Sequence, residues 1–433
     1  MQDSINDLII QLKQYKNQKG EIARQFKHIE KGSDAHQLLL QQMKEISAVI
    51  DQTEAQIKAI EQAAKEQTDN HQAQTNQQAV AFDYLQPEQH WPGTFRIEPL
   101  ENMQDWISFL QQQAHAPYHR PSWLNLIEKV FGHGSRILVA RDDKNIIIGG
   151  MPLTFFSGKL FGQFAVSIPY INYGGPISAY KNVNQLLIAE SAKYLAELQL
   201  SHIEVRSIQP DLSPLCTQKK ASMILQLPAS DEQLDKYLGA KLRSQIKKAE
   251  EYRPELRIGK EELLNDFYQV FAHNMRDLGT PVYSKDFFAE ILRTPDIQST
   301  LLVVRVANKP VSAAFLIGNN NLLEIPWAST IASANKQNMN MWMYRKILSY
   351  AITEGYDFFD FGRSTIDAGT YKFKKQWGAE PKQHYWYYLL PEGQALPEIN
   401  PNNPKYKLFI AAWKLMPVWL TRVIGPLLIK HIP

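Results

Sequence analysis

Positive charge is concentrated in the segment DFFDFGRSTIDAGTYKFKKQWG, residues 357–378, directly after a predicted strand. Arg363 follows a glycine, and Lys372, Lys374 and Lys375 lie among aromatic residues. If the lysine-rich stretch is extended, the two-residue repeat of a strand sends Lys372 and Lys374 to the same face. A fixed cation there could stabilise the oxyanion of an acyl-transfer reaction by about 3 kcal/mol. Alternatively, the lysines protect an exposed strand edge from aggregation.

A second basic group lies in LGAKLRSQIKKAEEY, residues 238–252, which is predicted to form an amphipathic helix. Lys241 and Arg243 are candidates for phosphate binding, because a guanidinium offers a two-pronged fork to an anion. Arg243 and Lys247 are four residues apart and would be neighbours on one side of the helix. The alternative is a solvated basic face without a ligand.

Candidate general bases are carboxylates at the ends of two predicted strands. Asp360 ends a strand in the second half of the chain, and Glu204 occupies the matching position in the first half. Either could accept a proton from an attacking amine or hydroxyl, although a carboxylate at such a position can equally be structural. No metal site is predicted, because His115, His119 and His133 are dispersed. The single cysteine, Cys216, excludes an intramolecular disulfide and fits a reducing compartment.

The first 80 residues form a separate module, with sixteen glutamines and no proline or tryptophan. Residues 1–66 contain two series of mostly apolar residues with alternating spacings of four and three, and Gly32 separates the series. This spacing predicts two antiparallel helices in a coiled-coil arm. Residues 67–93 are predicted to be a polar linker. The two series are Leu8, Leu12, Tyr15, Lys19, Ile22, Phe26, Ile29 and Leu39, Met43, Ile46, Ile50, Thr53, Ile57, Ile60, Ala64.

The remainder contains an internal duplication. A hairpin of two strands, a strand with a proline, an amphipathic helix and a further strand occur in both 94–227 and 228–400. The last step aligns YLAELQLSHIEVRS with YAITEGYDFFDFGRS. The predicted fold class is therefore α+β, with two similar domains and a cleft between them. This order of elements resembles the fold of the Gcn5-related N-acetyltransferases (GNAT).

Residues 401–433 form a basic, apolar segment without an acidic residue. It is predicted either to pack on the last domain or to lie on an anionic membrane surface. The net charge of +3 is too small to indicate nucleic-acid binding by itself, and no run of about 18 apolar residues is present. The protein is expected to be cytoplasmic. If the C-terminal segment contacts the membrane, the contact is expected to be peripheral, on the inner face.

Three motifs, IPYINYGGP, KLRSQIKKA and GTYKFKKQWGAEP, resemble the Fem family of aminoacyl-tRNA-dependent transferases. The similarity covers about residues 95–415 and is greatest to the Fem-like branch found with exosortase and exopolysaccharide genes. It implies tandem GNAT-like domains, an acceptor pocket and charge stabilisation by Lys374. The residues that match the pocket motifs are Lys241, Arg243, Tyr173, Gly175 and Pro176. Gly174 stands where the family usually has an arginine.

The arm is similar to the tRNA-binding hairpin of seryl-tRNA synthetases, although residues 1–66 carry nine basic and ten acidic side chains. It is otherwise a spacer or a dimerisation arm. The expected function is transfer of an aminoacyl group from aminoacyl-tRNA to a cell-wall (peptidoglycan) or exopolysaccharide precursor, without a cofactor. The alternatives are an acyl-CoA-dependent acyltransferase and a non-catalytic assembly protein. CoA is the less expected donor, because WASTIASANKQNMNMWMYRK has no glycine-rich phosphate loop.

Overall fold

The computed structural model describes residues 2–25, 34–75, 89–112, 116–158, 162–396 and 404–433. The chain forms two compact units, residues 1–80 and 81–433. The first unit consists of two helices, α1 (Gln2–Gln25) and α2 (Asp34–Thr75).

The helices of the first unit pack against each other in opposite directions, as predicted. Lys16 forms an ion pair with Glu54 at 2.7 Å, whereas Ile22, later in α1, shares a groove with Ile46, earlier in α2. Helix α2 continues to Thr75, so the prediction that a linker begins at residue 67 is wrong. The turn predicted at Gly32 lies outside the described residues.

The second unit contains two mixed sheets. In the first sheet the strand order is β1-β2-β3-β4-β6-β15-β7, and β5 pairs with β3. The strands from the first half of the chain are β1 (Phe95–Pro99), β2 (Ser135–Asp142), β3 (Ile147–Gly158), β4 (Gly162–Val166), β5 (Ile177–Ser178), β6 (Ile203–Ser207), β7 (Cys216–Thr217) and β8 (Lys220–Gln226).

In the second sheet the order is β14-β8-β13-β12-β11-β10-β9, so its last five strands repeat the order of β6 to β1. The strands from the second half of the chain are β9 (Glu255–Gly259), β10 (Gln298–Val306), β11 (Lys309–Asn319), β12 (Leu322–Thr330), β13 (Phe358–Thr365), β14 (Glu380–Gln383) and β15 (Tyr385–Leu389). All except β15 belong to the second sheet. The predicted α+β class with two GNAT-like domains is confirmed.

The two halves exchange their last strands. Strand β8 precedes the predicted domain boundary at residue 227, yet it pairs with β13 and β14 in the second sheet. Strand β15 comes from the second half but pairs with β6 and β7 in the first sheet. The predicted division into 94–227 and 228–400 is therefore wrong for these two strands, since neither sheet is complete without the other half.

Helices cover both sheets, and a large aromatic core joins the halves. Trp123, Phe131 and Tyr170 of the first half belong to the same buried cluster as Phe287 and Phe315 of the second. The helices are α3 (Met103–Gln112), α4 (Pro121–Phe131), α5 (Lys181–Ser191), α6 (Lys193–Glu197), α7 (Asp231–Tyr237), α8 (Ala240–Glu250), α9 (Leu264–Leu278), α10 (Lys285–Arg293), α11 (Ala332–Asn335), α12 (Met339–Thr353), α13 (Gly369–Lys375), α14 (Pro404–Leu415) and α15 (Val418–Ile429).

The prediction of an extended lysine-rich stretch is wrong, because residues 369–375 form helix α13. Phe373 and Trp377 are four residues apart and pack together, with their ring centroids separated by 6.4 Å, as successive turns of a helix allow. Lys374 is buried, whereas Lys372 is exposed, so the two ammonium groups do not share a face.

Candidate active site

Each sheet opens where two parallel strands stop pairing. In the second sheet, pairing of β12 with β13 ends at Glu324 and Asp360, although both strands continue. In the first sheet, pairing of β4 with β6 ends at Val166 and Glu204. Both carboxylates predicted from the duplication, Asp360 and Glu204, thus lie at the last paired position before an opening.

Glu324 links the two halves at the second opening. Its carboxylate accepts a hydrogen bond from the Tyr118 hydroxyl at 2.6 Å and another from the Asn172 side chain. Burial, together with the charge of Asp360, raises the pKa of Glu324, and burial likewise raises the pKa of Asp360. The phenol of Tyr118 is also buried beside these carboxylates, and its pKa is raised well above the usual value. Two adjacent buried carboxyl groups favour retention of a proton.

The backbone turn at Gly362 positions Lys374. Gly362 has φ +77°, and a Cβ there would lie 3.0 Å from the carbonyl oxygen of Ile325, so this position favours glycine. Its N–H donates to Asp360 Oδ1 at 2.7 Å. Lys374 Nζ donates to the carbonyl oxygens of Gly362 at 2.8 Å and Arg363 at 3.1 Å.

The Lys374 ammonium retains one donor within the described residues, since it has three N–H groups and two are used. Burial lowers its pKa to about 8, partly opposed by the charges of Asp360 and Glu324. The site therefore combines a buried ammonium group, whose pKa is lowered, with carboxyl groups that bind a proton near neutral pH.

Two arginines flank one indole beside this cluster. The Arg206 and Arg363 guanidinium carbons lie 4.7 and 5.0 Å from the Trp386 ring centroid. Arg206 also pairs with Glu204 at 2.6 Å, and the Tyr388 hydroxyl donates to the same carboxylate at 3.0 Å. Arg206 and Arg363 occupy matching positions in the duplication, each followed by serine.

The arginine pair, Arg206 and Arg363, has N–H groups that are available for a ligand. The Nη1 atoms of Arg206 and Arg363 are buried and make no hydrogen bond within the described part of the chain. Burial and then the charge of Arg206 lower the pKa of Arg363 to about 10. Since only Glu204 forms an ion pair here among the described residues, the pair is suited to an anion.

Aromatic ring contacts connect the first half to the same region. Tyr173 is buried with its ring edge-on to Tyr118 and His384, at centroid distances of 6.1 and 5.8 Å. His384 Nε2 lies 3.0 Å from Ser222 Oγ, and burial plus the charges of Arg363 and Arg206 lower its pKa to about 3. A neutral His384 therefore supports the site without adding charge.

Gly175 allows its loop to approach strand β6 closely. A Cβ at this position would lie 3.0 Å from the Ser207 Cβ, and the Gly175 carbonyl oxygen lies 2.9 Å from His119 Nε2. Tyr173 and Gly175 are thus brought to the arginine pair and Glu324, as structural residues of the loop.

Other predicted residues lie elsewhere. Arg243 Nη1 donates to the carbonyl oxygens of Leu238 and Asp235, which cap the end of α7. Lys241 is exposed on α8, and Lys372 is exposed on α13. Within the described residues, none of these three side chains forms a hydrogen bond or an ion pair with Lys374 or its partners.

Sequence reasoning missed Tyr118, Asn172, Arg206, Glu324, His384 and Trp386. The duplication contained a signal for Arg206, because it aligns with Arg363 in the two "RS" pairs. Nothing in the described residues brings three or more potential metal-ligating side chains together. Among the helices that are described, none is long and apolar enough to cross a membrane.

Comparison with protein families identifies the second half. Residues 239–375 match the acetyltransferase (GNAT) domain family. This match includes α13 with Lys374 and the opening between β12 and β13, and it supports an acyltransferase. No curated protein matches the chain.

Several solved structures are similar in fold at low identity. FemX is 14% identical with a TM-score of 0.49, over 72% of this chain and 100% of that chain. The L-PGS of Bacillus licheniformis is 14% identical with a TM-score of 0.44, over 77% and 99%. A tandem GNAT protein from the clavulanic acid biosynthesis pathway is 9% identical with a TM-score of 0.43, over 70% and 100%.

Proposed function

We propose that the protein is a Fem-like acyltransferase that moves an aminoacyl group from aminoacyl-tRNA to an amine or hydroxyl of a cell-envelope precursor. One observation carries this proposal: two backbone carbonyls at the strand opening fix the buried Lys374 ammonium, and its third N–H makes no hydrogen bond within the described residues. A fixed donor of this kind suits the oxyanion of an acyl-transfer intermediate. The motif similarity around Lys374 favours an aminoacyl ester as the donor.

In the proposed reaction, the acceptor nitrogen or oxygen attacks the ester carbonyl carbon of the aminoacyl-tRNA. The carbonyl oxygen becomes an oxyanion, which accepts a hydrogen bond from the third N–H group of Lys374. Collapse of this intermediate breaks the ester bond, and the ribose oxygen of the tRNA leaves with the proton that the base removed from the acceptor. The products are the acylated acceptor and deacylated tRNA.

A base must remove the proton of the attacking acceptor, and we assign this role to Asp360. Its raised pKa suits proton transfer near neutral pH, and its backbone partner Gly362 also positions Lys374. Glu324 lies beside Asp360, but Tyr118 and Asn172 already donate hydrogen bonds to its carboxylate, so we do not assign it the role of base. Glu204 is engaged with Arg206 and is assigned to positioning that arginine instead.

The arginine pair is assigned to an anionic group of a substrate. The Nη1 atoms of Arg206 and Arg363 are buried and make no hydrogen bond among the described residues, and Trp386 lies between the two guanidinium groups. A phosphate or carboxylate could bridge them with charge-assisted hydrogen bonds. Lys241 and Arg243, on α8, remain candidates for contacts with tRNA or acceptor phosphates through the family motif.

A second candidate function is acyl transfer from acyl-CoA, favoured by the GNAT domain match. Against it, the connection from β12 to α12, residues 331–338, contains no glycine to approach a pyrophosphate. A non-catalytic assembly role, with the arm recruiting partners, is the third candidate.

Donor binding distinguishes these functions. Purified protein is titrated with bulk tRNA charged with labelled amino acids, with the same tRNA deacylated, and with acetyl-CoA. The proposal expects saturable binding of charged tRNA and transfer of label to an extract of cell-envelope precursors. Binding of acetyl-CoA alone would establish the second candidate. Absence of binding and transfer with every donor would favour assembly.

A further inference from the structure

The outer face of the two C-terminal helices is apolar and exposed. Five large side chains of α14 and α15 are between 61% and 86% exposed: Leu408, Leu415, Trp419, Val423 and Leu427. We call these five residues the C-terminal apolar face. Their spacing is helical, seven residues within α14 and four within α15, so each set follows one side of its helix. Leu278, at the end of α9 next to α14, is also exposed.

The inner side of the same helices is firmly packed. Trp413 is buried, and a Cβ at Gly425 would lie 2.8 Å from the backbone N of Val282. Arg276 donates to the carbonyl oxygen of Met416 at 3.1 Å, and the Tyr170 hydroxyl donates to that of Lys430 at 2.7 Å. The C-terminal apolar face therefore belongs to helices that are packed on the rest of the protein. Its five side chains are apolar but take no part in that packing.

Positive charge flanks the apolar face. Lys407 and Lys414 are exposed, seven residues apart, and lie on one flank of the stripe formed by Leu408 and Leu415. No acidic residue occurs between residues 404 and 433. Long lysine side chains can extend their charge to phosphate groups while their stems cover apolar surface.

From this combination we infer that the C-terminal apolar face binds the surface of an anionic lipid membrane. Each helix has 12 residues, about 18 Å at 1.5 Å per residue, which suits a position in the plane of the interface. Trp419 has the amphipathic ring that favours the headgroup level. A second copy of the chain is a poorer occupant, because a face-to-face pair would bring the lysines of α14 from both copies to one interface, and residues 404–433 carry no acidic side chain to pair with them.

Vesicle sedimentation tests the inference with the full chain. Extruded vesicles of phosphatidylglycerol and phosphatidylcholine are compared with vesicles of phosphatidylcholine alone. The wild type is expected to bind the anionic vesicles at least about tenfold more tightly, because the exposed lysines are attracted to anionic headgroups. Binding should weaken at high salt, which screens this attraction. No preferential binding to the anionic vesicles would overturn the inference.

Two variants separate the apolar and charged contributions. Leu415→Ser with Trp419→Ser is expected to reduce binding at least about tenfold to both vesicle types, because buried apolar area is lost. Lys407→Gln with Lys414→Gln is expected to remove the preference for anionic lipid. Both target exposed side chains, so melting curves should match the wild type.

The matched control is Ile146→Ser, which removes an exposed apolar side chain from the turn between β2 and β3. It should bind vesicles as the wild type does. If the serine pair at 415 and 419 binds vesicles equally well, the face is not the membrane site. If that pair instead abolishes a concentration-dependent dimer seen by analytical ultracentrifugation, without vesicle binding by the wild type, the occupant is a second copy and the inference is wrong.

Discussion

At the scale of single residues, Lys374 is distinguished from its neighbours by burial. Replacing it with methionine removes the proposed oxyanion donor, and turnover should fall by at least about tenfold, with 10²–10³ typical for loss of such a donor. Transfer of labelled amino acid from charged tRNA measures the effect. Two carbonyl oxygens also lose their partner, so circular dichroism must show that the variant is folded.

Lys372→Met is the matched control for this experiment, because Lys372 is exposed on the same helix. It should leave turnover within about twofold of the wild type, a range set by the small effect of exposed charges. Equal turnover of the wild type and Lys374→Met would remove Lys374 from the mechanism.

Glu324 gives a prediction for pH. Its folded-state pKa is raised by burial and by Asp360, so the folded protein retains a proton that the unfolded chain releases above about pH 4.5. The free energy of unfolding should therefore fall as pH rises from about 5 towards 8, by about 1.4 kcal/mol for each unit of the difference in pKa. The Lys374 shift has the opposite slope, but only above about pH 8.

Glu324→Gln removes this titration while keeping an amide of similar shape for Tyr118 and Asn172. Urea unfolding at pH 5, 6, 7 and 8 should show a smaller loss of stability with pH than in the wild type. An identical pH dependence in the two proteins would mean that Glu324 does not titrate in this range. Glu232→Gln, at an exposed residue, serves as the control, because a hydrogen bond from Ser230 lowers the pKa of Glu232 and keeps its titration below this pH range.

At the scale of elements, the turn after Asp360 connects the strand opening to Lys374. Gly362→Ala should destabilise the protein by more than the roughly 1–2 kcal/mol expected for an L-residue at positive φ, because its Cβ also meets the Ile325 carbonyl. It should also lower turnover, since the carbonyls of Gly362 and Arg363 hold the Lys374 ammonium.

Gly355→Ala separates these effects. Gly355 has φ +80°, but a Cβ there would meet open space, so this variant should show the backbone cost with unchanged turnover. Equal losses of activity in Gly355→Ala and Gly362→Ala, measured at matched folded fractions, would contradict a specific role for the Gly362 turn.

The exchange of strands predicts that the halves fold together. A fragment of residues 89–217 lacks β15 from its sheet, and a fragment of 218–433 would leave β15 without β6 and β7. Each fragment alone should be protease-sensitive, whereas coexpression should restore a resistant complex. The intact body, residues 89–433, is the control. A stable, dispersed NMR spectrum from either fragment alone would show that the exchanged strand is dispensable.

Local patterns in the sequence predicted the helices of the arm, the repeated order of strands and helices along the chain, and the equivalence of two carboxylates. The periodicity of the arm predicted α1 and α2, and the duplication placed Asp360 and Glu204 at equivalent positions. The predicted strand ends were wrong, because Asp360 lies within β13 (Phe358–Thr365) and Glu204 within β6 (Ile203–Ser207). The extended prediction for residues 371–377 failed because alternating lysines and aromatics fit either period until Phe373 and Trp377 pack in the core. Tyr118 was missed because its partner Glu324 lies 206 residues away, a contact that no local pattern encodes.

At the scale of the whole molecule, charge is divided unevenly between the two compact units. Residues 1–80 contain nine basic and eleven acidic side chains, which leaves 38 and 33 in residues 81–433. Contacts with tRNA phosphates are therefore expected chiefly from the second unit, and the arm would act through shape and hydrogen bonds. Salt dependence can separate these contributions, because its slope reports the number of neutralised phosphates.

Deletion of residues 1–80 should leave the melting temperature of the second unit within about 2 °C, because the deleted residues form a compact unit of their own. If the arm binds tRNA, affinity for charged tRNA should fall at least about fivefold while the slope of log K against log salt changes by less than about one. Filter binding at 50, 100 and 200 mM salt measures both quantities. Unchanged affinity would assign the arm to protein contacts. A slope reduced by several units would show that its nine basic residues neutralise phosphates directly, although residues 1–80 carry eleven acidic side chains.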